Sequence, residues 1–259
     1  MMTKQFREED VVQVEDGVHA VYGSDVTWVV VRSGDSATLI DTGYPADRAN
    51  LLASLELLKV APEALSAVLI THAHNDHLGS AEWLRATYGV PVLMHPEEVP
   101  HARRDFLDQV SVGKVAANAW RPGVVPWALR ALGNGGTADV AVAEPQAFPA
   151  PGASGAPGTL DLPGSPVPLH IPGHTAGHCA YLLPDSGIVV GGDAIATGHP
   201  TSRLKGPQLL PTMFHKDRER ALAGLSALEE TDAEVLVPGH GPVYRGSVRE
   251  AVRLVRERG

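Results

Sequence analysis

Apolar and polar positions alternate along this chain at two different periods, and the changes of period mark its elements. Residues 18–22, 26–31 and 37–40 are short runs rich in β-branched side chains, broken by Gly23-Ser24 and Ser33-Gly34-Asp35, and predict strands. From Asp47 the spacing becomes helical: Leu51, Leu55 and Leu58 share one face, and Asp47 is placed to cap the N-terminus. Residues 65–70 predict a strand, 80–88 a helix and 91–94 another strand. Further on, residues 169–171, 180–183 and 188–190 predict strands, followed by a helix with Leu222, Leu225 and Leu228 on one face and a strand at 234–237. A last helix from about Ser247 buries Val248, Val252 and Val255 and exposes Arg249, Arg253 and Arg256. This alternation predicts an α/β (α+β) fold with helices packed against sheet.

Residues 96–168 interrupt the pattern. Their first part, with Phe106, Leu107, Val110, Trp120 and Trp127, predicts one or two short helices. Residues 145–168 are so rich in proline and glycine that they read as loop or extended chain. Neither repeat nor linker divides the sequence, so residues 1–259 read as one domain with an insertion at about 96–168. A long irregular segment inside a compact domain is commonly functional. Two readings follow. The insertion is a lid whose Phe106, Leu107, Trp120 and Trp127 wall a cleft, with 145–168 as a mobile flank, or it is a surface excursion that packs its own small cluster.

Composition narrows the function. With 44% hydrophobic and 20% charged residues the chain can bury a sizeable core, which excludes general disorder and fibrous repeats. Thirty acidic residues against twenty-one basic ones give a net charge of −9, which argues against a nucleic-acid partner, since such binding rests on neutralising phosphates with Lys and Arg. The single cysteine, Cys179, excludes an intramolecular disulfide; it opens a strand predicted to be buried and reads as a small hydrophobe. The first ten residues lack the apolar core of a secretory signal, and no stretch reaches the roughly 18 uncharged apolar residues of a membrane span. The expectation is a cytoplasmic protein acting on a small-molecule substrate, with no membrane partner. The pattern specifies no oligomeric state.

The chemistry concentrates at strand ends. Thr71-His72-Ala73-His74-Asn75-Asp76-His77-Leu78-Gly79 follows an apolar strand and offers four nitrogen or carboxylate ligands within six residues. A strand end followed by a turn can aim such side chains at one point, and imidazole with carboxylate suits zinc and other first-row divalent metals. Three later segments share a pattern in which a β-like run ends and a glycine-flanked ligand follows: Pro172-Gly173-His174, Gly191-Gly192-Asp193 and Pro238-Gly239-His240-Gly241. Open α/β folds bind ligands at such carboxyl ends. His95, His101, His199 and His215 are scattered and individually read as surface or packing residues, although His199, six residues past Asp193 in a Gly/Pro loop, is also a candidate substrate contact.

The His-x-His-x-Asp-His motif at 72–77, followed in order by His174, Asp193 and His240, resembles the metallo-β-lactamase superfamily of metal-dependent hydrolases. The resemblance runs over nearly the whole chain and includes Leu39-Ile40-Asp41-Thr42-Gly43 and Pro172-Gly173-His174-Thr175-Ala176-Gly177-His178. It implies a four-layer αββα metallo-β-lactamase sandwich with two Zn2+ ions per chain, Mn2+ or Fe2+ being alternatives. It places His72, His74 and His174 on the first metal, Asp76, His77 and His240 on the second, and Asp193 between them. His178 is not a ligand in that pattern. Two divalent ions about 4 Å apart can share a hydroxide, lowering the pKa of water from 15.7 towards 7 for attack on an ester, thioester or lactone carbonyl. Asp76 is then a catalytic candidate that orients the hydroxide. Asp41 either fixes the tautomer of a ligand histidine or caps the turn before Gly43.

Among members of the superfamily, hydroxyacylglutathione hydrolases share all seven ligands but add a C-terminal helical portion, whereas about nineteen residues follow His240 here. Lactonases of acyl-homoserine lactones carry a tyrosine where this chain has Ala196, and antibiotic-hydrolysing members with a cysteine in the second site want Cys where Asp193 stands. Persulfide dioxygenases, the alternative oxidoreductase class, use a single iron on positions matching His72, His174 and Asp193. Flavodiiron reductases want Glu at His74. A phosphodiesterase or nuclease is the third class, and the acidic balance argues against it.

Overall fold

In the computed structural model, which describes residues 4–148 and 158–258, the strands assemble into two sheets. The first half of the chain contributes β1 (Val11–Glu15), β2 (Val18–Tyr22), β3 (Thr27–Ser33), β4 (Ser36–Ile40), α1 (Arg48–Leu57), β5 (Leu65–Leu69), α2 (Asn75–Leu78), α3 (Ala81–Tyr88) and β6 (Val92–Met94). The insertion follows with α4 (Val99–Ala102), α5 (Val112–Ala117), α6 (Val124–Gly133) and the two-residue β7 (Gln146–Ala147). The second half adds β8 (Val167–His170), β9 (Cys179–Leu183), β10 (Ile188–Gly192), α7 (Arg218–Gly224), α8 (Ser226–Glu229), β11 (Val235–Pro238), β12 (Tyr244–Arg245) and α9 (Val248–Arg258).

One sheet runs β1-β2-β3-β4-β5-β6-β7, antiparallel as far as β4 and parallel beyond it. The other runs β12-β11-β10-β9-β8 and is antiparallel except for the β10–β11 pair. The period of two in the strands sorts their side chains between three cores. On β3, Trp28 and Val30 join Leu51 and Leu55 of α1 and Leu84 of α3, while Val29 and Val31 point to the opposite sheet. On β10 and β11, Ile188, Val190, Val235 and Val237 meet that inter-sheet core, and Val189 and Leu236 pack on Leu228 of α8 and Val252 of α9. Helix, sheet, sheet and helix therefore form four layers, which is the αββα sandwich expected. Both faces of the central strands are covered, so they read as unbroken apolar runs rather than alternating ones.

Several details differ from the sequence expectations. Asp47 sits at the N-terminus of α1 but makes no cap hydrogen bond. Its buried carboxylate instead accepts from the Ser24 Oγ hydroxyl at 2.7 Å and from the Tyr44 amide at 3.2 Å, because the turn leading into α1 folds back on itself there. The insertion holds three α-helices, not one or two. Leu222, Leu225 and Leu228 lie on two consecutive helices that break at Leu225, just after Gly224. Gly224 is a poor helix former that lets the chain close on Ile171, whose Cγ2 would lie 3.1 Å from an added Cβ. Strand β1 escapes the pattern because only Val14 in it is buried. Of the proline-rich 145–168 stretch, residues 149–157 lie outside the described residues.

Candidate metal centre

The side chains singled out from the sequence converge where one edge of the sandwich brings both sheets together. The chain leaves β5 at Leu69, and His72, His74, Asp76 and His77 follow across a bend into the single turn of α2. His174 comes from the loop between β8 and β9, Asp193 directly follows β10, and His240 lies two residues beyond β11. Two cross-sheet contacts keep these strand ends together: the Tyr181 hydroxyl donates to the Ile70 carbonyl at 2.7 Å and the Cys179 amide to the Thr71 carbonyl at 2.9 Å.

Their ring nitrogens face one another. His74 Nδ1 lies 3.0 Å from His72 Nε2 and 3.1 Å from His174 Nε2. On the other side of Asp193, whose Oδ2 is 3.2 Å from His174 Nε2 and 3.4 Å from His240 Nε2, its Oδ1 is 3.4 Å from His77 Nε2. Asp76 Oδ2 stands 3.6 Å from His240 Nε2 and 3.9 Å from His77 Nε2. Asp193 thus lies between two groups, His72/His74/His174 and Asp76/His77/His240.

Hydrogen bonds on the far sides of the rings fix which nitrogen carries a lone pair inward. His74 Nε2 donates to the Asp108 carbonyl at 2.6 Å, which leaves Nδ1 as the acceptor atom. His77 Nδ1 donates to Asp41 Oδ2 at 2.7 Å, and His240 Nδ1 to the Asp25 carbonyl at 2.6 Å, so both turn Nε2 inward. The Thr71 hydroxyl donates to Asp41 Oδ2 at 2.8 Å, so it can only accept from His72 Nδ1, 3.1 Å away. His77 Nε2 and Asp193 Oδ1 are buried without a hydrogen-bond partner. Converging lone pairs and an unpaired buried carboxylate oxygen are mutually unfavourable unless a cation lies among them. The nitrogen and oxygen donors fit a first-row divalent ion, so these residues can hold metal.

The two groups differ in proton affinity. Burial first, then the neighbouring imidazoles, hold His72 well below the ordinary histidine range, and burial depresses His174 likewise. Burial also disfavours charge on His240, but Asp193 and Asp76 overcome it and raise that ring to about 9. His77 is raised for the same reason, with Asp41 the foremost carboxylate opposing burial.

The Asp41 carboxylate accepts from His77 Nδ1 and from the Thr71 amide at 2.8 Å. It does so from a left-handed backbone conformation, φ 62°, which Asp tolerates better than most residues. Gly239 is demanded by proximity: an added Cβ would lie 2.5 Å from Asp193 Oδ1 and 2.9 Å from His77 Cε1. His178 is turned to support, its Nε2 accepting the Asp193 amide at 3.0 Å. Cys179 is fully buried, and burial raises its thiol far above the ordinary range. His199 is buried between Trp127 and Phe214, with its ring centroid 5.0 Å from that of His240.

Residues the sequence reading passed over hold the ligand loop in place. Glu98, 1% exposed, accepts from the Ala73 amide at 3.0 Å, from His101 Nδ1 at 3.1 Å, from the Gly177 amide at 3.1 Å and from the Thr175 hydroxyl. One carboxylate therefore ties the 72–77 loop to the loop that carries His174. His101 is more than a packing histidine, for its Nε2 accepts the Asp108 amide at 3.2 Å, and Asp108 is the residue whose carbonyl orients His74. Arg104 donates to the Ala73 carbonyl at 2.9 Å and to Asn75 Oδ1 at 2.7 Å. The one sequence signal was the acidic pair Glu97-Glu98 three residues before His101, and nothing in it pointed to His74.

A cleft of about 150 Å³ opens on Asp76, His174, Asp193 and His240, and its outer wall comes from α5 and α6. Trp127 is part of that wall. Trp120 is not: it is 81% exposed, on the turn between the helices, and Leu107 at 66% is exposed as well. Phe106 stacks on His101 instead of facing the cleft. All three lie on the turns between α4, α5 and α6, whose course an unassigned segment could not reveal. Tyr44, buried beside Asp76 in the same cleft, was also missed. Burial and then Asp76 raise its phenol well above the ordinary range, so it stays protonated. Among the described residues, no helix is long and apolar enough to cross a membrane.

A two-sheet sandwich with His and Asp ligands along one edge is the architecture of metal-dependent hydrolases. The metallo-beta-lactamase superfamily model matches residues 21–240, and the chain belongs to that superfamily. The Bacillus subtilis protein "Probable metallo-hydrolase YflN" is 27% identical over 219 residues, which cover 80% of this chain and 75% of that protein. A hydroxyacylglutathione hydrolase from Acidiphilium cryptum is 29% identical over 212 residues, 81% of this chain and 61% of its own length. A metallo-beta-lactamase family protein from Thermus thermophilus shares the fold with a TM-score of 0.66 at 19% identity, over 95% of this chain and 80% of that one.

Proposed function

We propose that this protein is a dinuclear metal-dependent hydrolase that cleaves an ester, thioester or lactone carbonyl of a small molecule. The observation that carries the reading is the position of Asp193, whose two carboxylate oxygens lie against both ligand groups at 3.2–3.4 Å. His72, His74 and His174 would hold one ion and Asp76, His77 and His240 the other, with zinc the metal best suited to the donors. When bound, such a pair lowers the pKa of water towards neutrality and stabilises negative charge developing on the substrate oxygen. Asp76, more accessible than Asp193 at 17% side-chain exposure against 3%, is placed to orient the attacking water and take its proton. His199 accepts the Thr201 amide at Nδ1, 3.2 Å away, so its remaining proton sits on Nε2 and is free to donate to the substrate. Burial and then His240 lower its pKa to about 3, which keeps the ring neutral.

Metal quantification on protein purified without chelator, followed by an ester, thioester and lactone panel, tests this reading. Two divalent ions per chain and turnover of one bond class are expected. Protein that never retains more than one ion under metal-replete conditions overturns the dinuclear assignment. One iron per chain with oxidation of a persulfide would instead assign the alternative chemistry on His72, His174 and Asp193.

A further inference from the structure

The cleft that meets the metal ligands is asymmetric in a way the ligands do not require. Its inner end is polar, with Asp76, Asp193 and the histidines, while the outer wall is built from Val112 and Val115 of α5, Trp127 and Ala131 of α6, and Leu210 and Phe214 from the chain between β10 and α7. Trp127 and Phe214 meet edge to face, their centroids 5.0 Å apart, and close that wall beside His199. Among the described residues, no Lys or Arg lines the cleft, and its ionisable side chains, Asp76, Asp193 and the histidines, all lie at the ligand end. An anionic substituent lying against the outer wall, away from the ligands, would be desolvated there with no Lys or Arg to pair it. Apolar surface would be removed from water at no such cost.

We propose that this slot receives an uncharged, apolar acyl group, and that the substrates are esters or thioesters of unbranched monocarboxylic acids of short to medium chain length. The assignment rests on the hydrolase reading above and adds the substrate class. A cleft of about 150 Å³ has room for a few methylenes, so selectivity rises with chain length and then stops when the slot is full. The polar end holds the carbonyl against the ligands, and the α5–α6 wall takes the chain.

The test uses the metal-loaded enzyme with 4-nitrophenyl acetate, butyrate and hexanoate and with the 4-nitrophenyl hemiester of succinate, so that the leaving group is constant. Each methylene accommodated should raise kcat/KM roughly fourfold. The hemisuccinate, close to butyrate in length, should fall at least tenfold below it. Val115→Lys, on a half-buried position of α5, should reverse that order by giving the hemisuccinate a cation. Independently of turnover, hexanamide should raise the thermal midpoint of the metal-loaded protein more than acetamide does. A flat response to chain length, or a wild-type preference for the hemisuccinate, overturns the slot assignment. Loss of every hydrolytic activity with both metals bound and the hexanamide effect intact overturns the hydrolase reading and leaves the slot standing.

Discussion

The ligand loop at 72–77 and the ligand turn at 239–240 do the same job at the ends of strands in different sheets, yet they are held by different means. The first is braced by side chains and a carbonyl of the insertion: Glu98 and Arg104 grip the amide and carbonyl of Ala73, and Asp108 orients His74. The second is held by main chain. The Gly239 amide donates to the Gly192 carbonyl at 2.8 Å, the Gly239 carbonyl accepts the Thr27 amide at 2.8 Å, and His240 is oriented by the Asp25 carbonyl. The 72–77 loop is bonded to the strands at its two ends, at Thr71 and His77, and takes its middle from the insertion, whereas the 239–240 turn is seated on adjacent strands and inherits its position from the sheet. The difference teaches that the insertion is part of the metal-site scaffold, whatever else it covers.

The largest effect should come from removing the group common to both sides. Asp193→Ala takes away the carboxylate that both ligand groups share, so metal content should fall towards zero per chain and turnover by at least a thousandfold, read by elemental analysis and kinetics on the same preparation. Retention of one ion would show that the His72/His74/His174 group stands alone. Asp41→Asn acts most directly on His77, because an amide cannot hold the ring as a carboxylate does, and more weakly on His72 through the Thr71 hydroxyl. We expect a loss of 10- to 100-fold in affinity for the ion on the His77 side and a smaller loss for the other, read in a competition titration.

Glu98→Gln probes the insertion side. Burial pushes this carboxyl up, but His101, Thr175 and the Ala73 amide together hold it at about 2, against an ordinary 4.5. A depressed carboxyl contributes stability that is complete above the ordinary pKa and is lost as pH falls through the folded one. The shift corresponds to roughly 3 kcal/mol, so wild type should melt several degrees above Glu98→Gln at pH 6, and the gap should narrow between pH 4.5 and 2. A gap that stays constant down to pH 2 would show that Glu98 acts by packing and not by charge. With the 72–77 loop loosened, turnover at neutral pH should fall about tenfold. The smallest effect is expected from Trp120→Ala: the residue is 81% exposed and outside the cleft, so KM for a bulky and a small ester should both stay within about twofold. A selective rise for the bulky ester would show that α5 and α6 close further than this structure records.

Much of this protein was written in its local pattern. Runs such as Val29-Val30-Val31 and Val235-Leu236-Val237 announced strands covered on both faces, and the Val248/Val252/Val255 stripe announced the outer helix, because burial of alternate or every third and fourth residue is a local property of the chain. The candidate metal-binding side chains, which the structure brings together, stood out equally, since coordination chemistry limits such groups to few residue types and each follows a strand end. The partners of Asp41 did not, and neither did the role of Glu98, which lies 25 residues from Ala73 and 77 from Thr175. The carbonyls of Asp25 and Asp108 left no signature at all, because any residue can supply a backbone acceptor. By itself the sequence determined which atoms could bind metal and which faces must be buried. Only the tertiary structure decided which nitrogen of each histidine faces inward and which residues of the insertion wall the cleft, because both depend on partners that are distant along the chain and are brought together by folding.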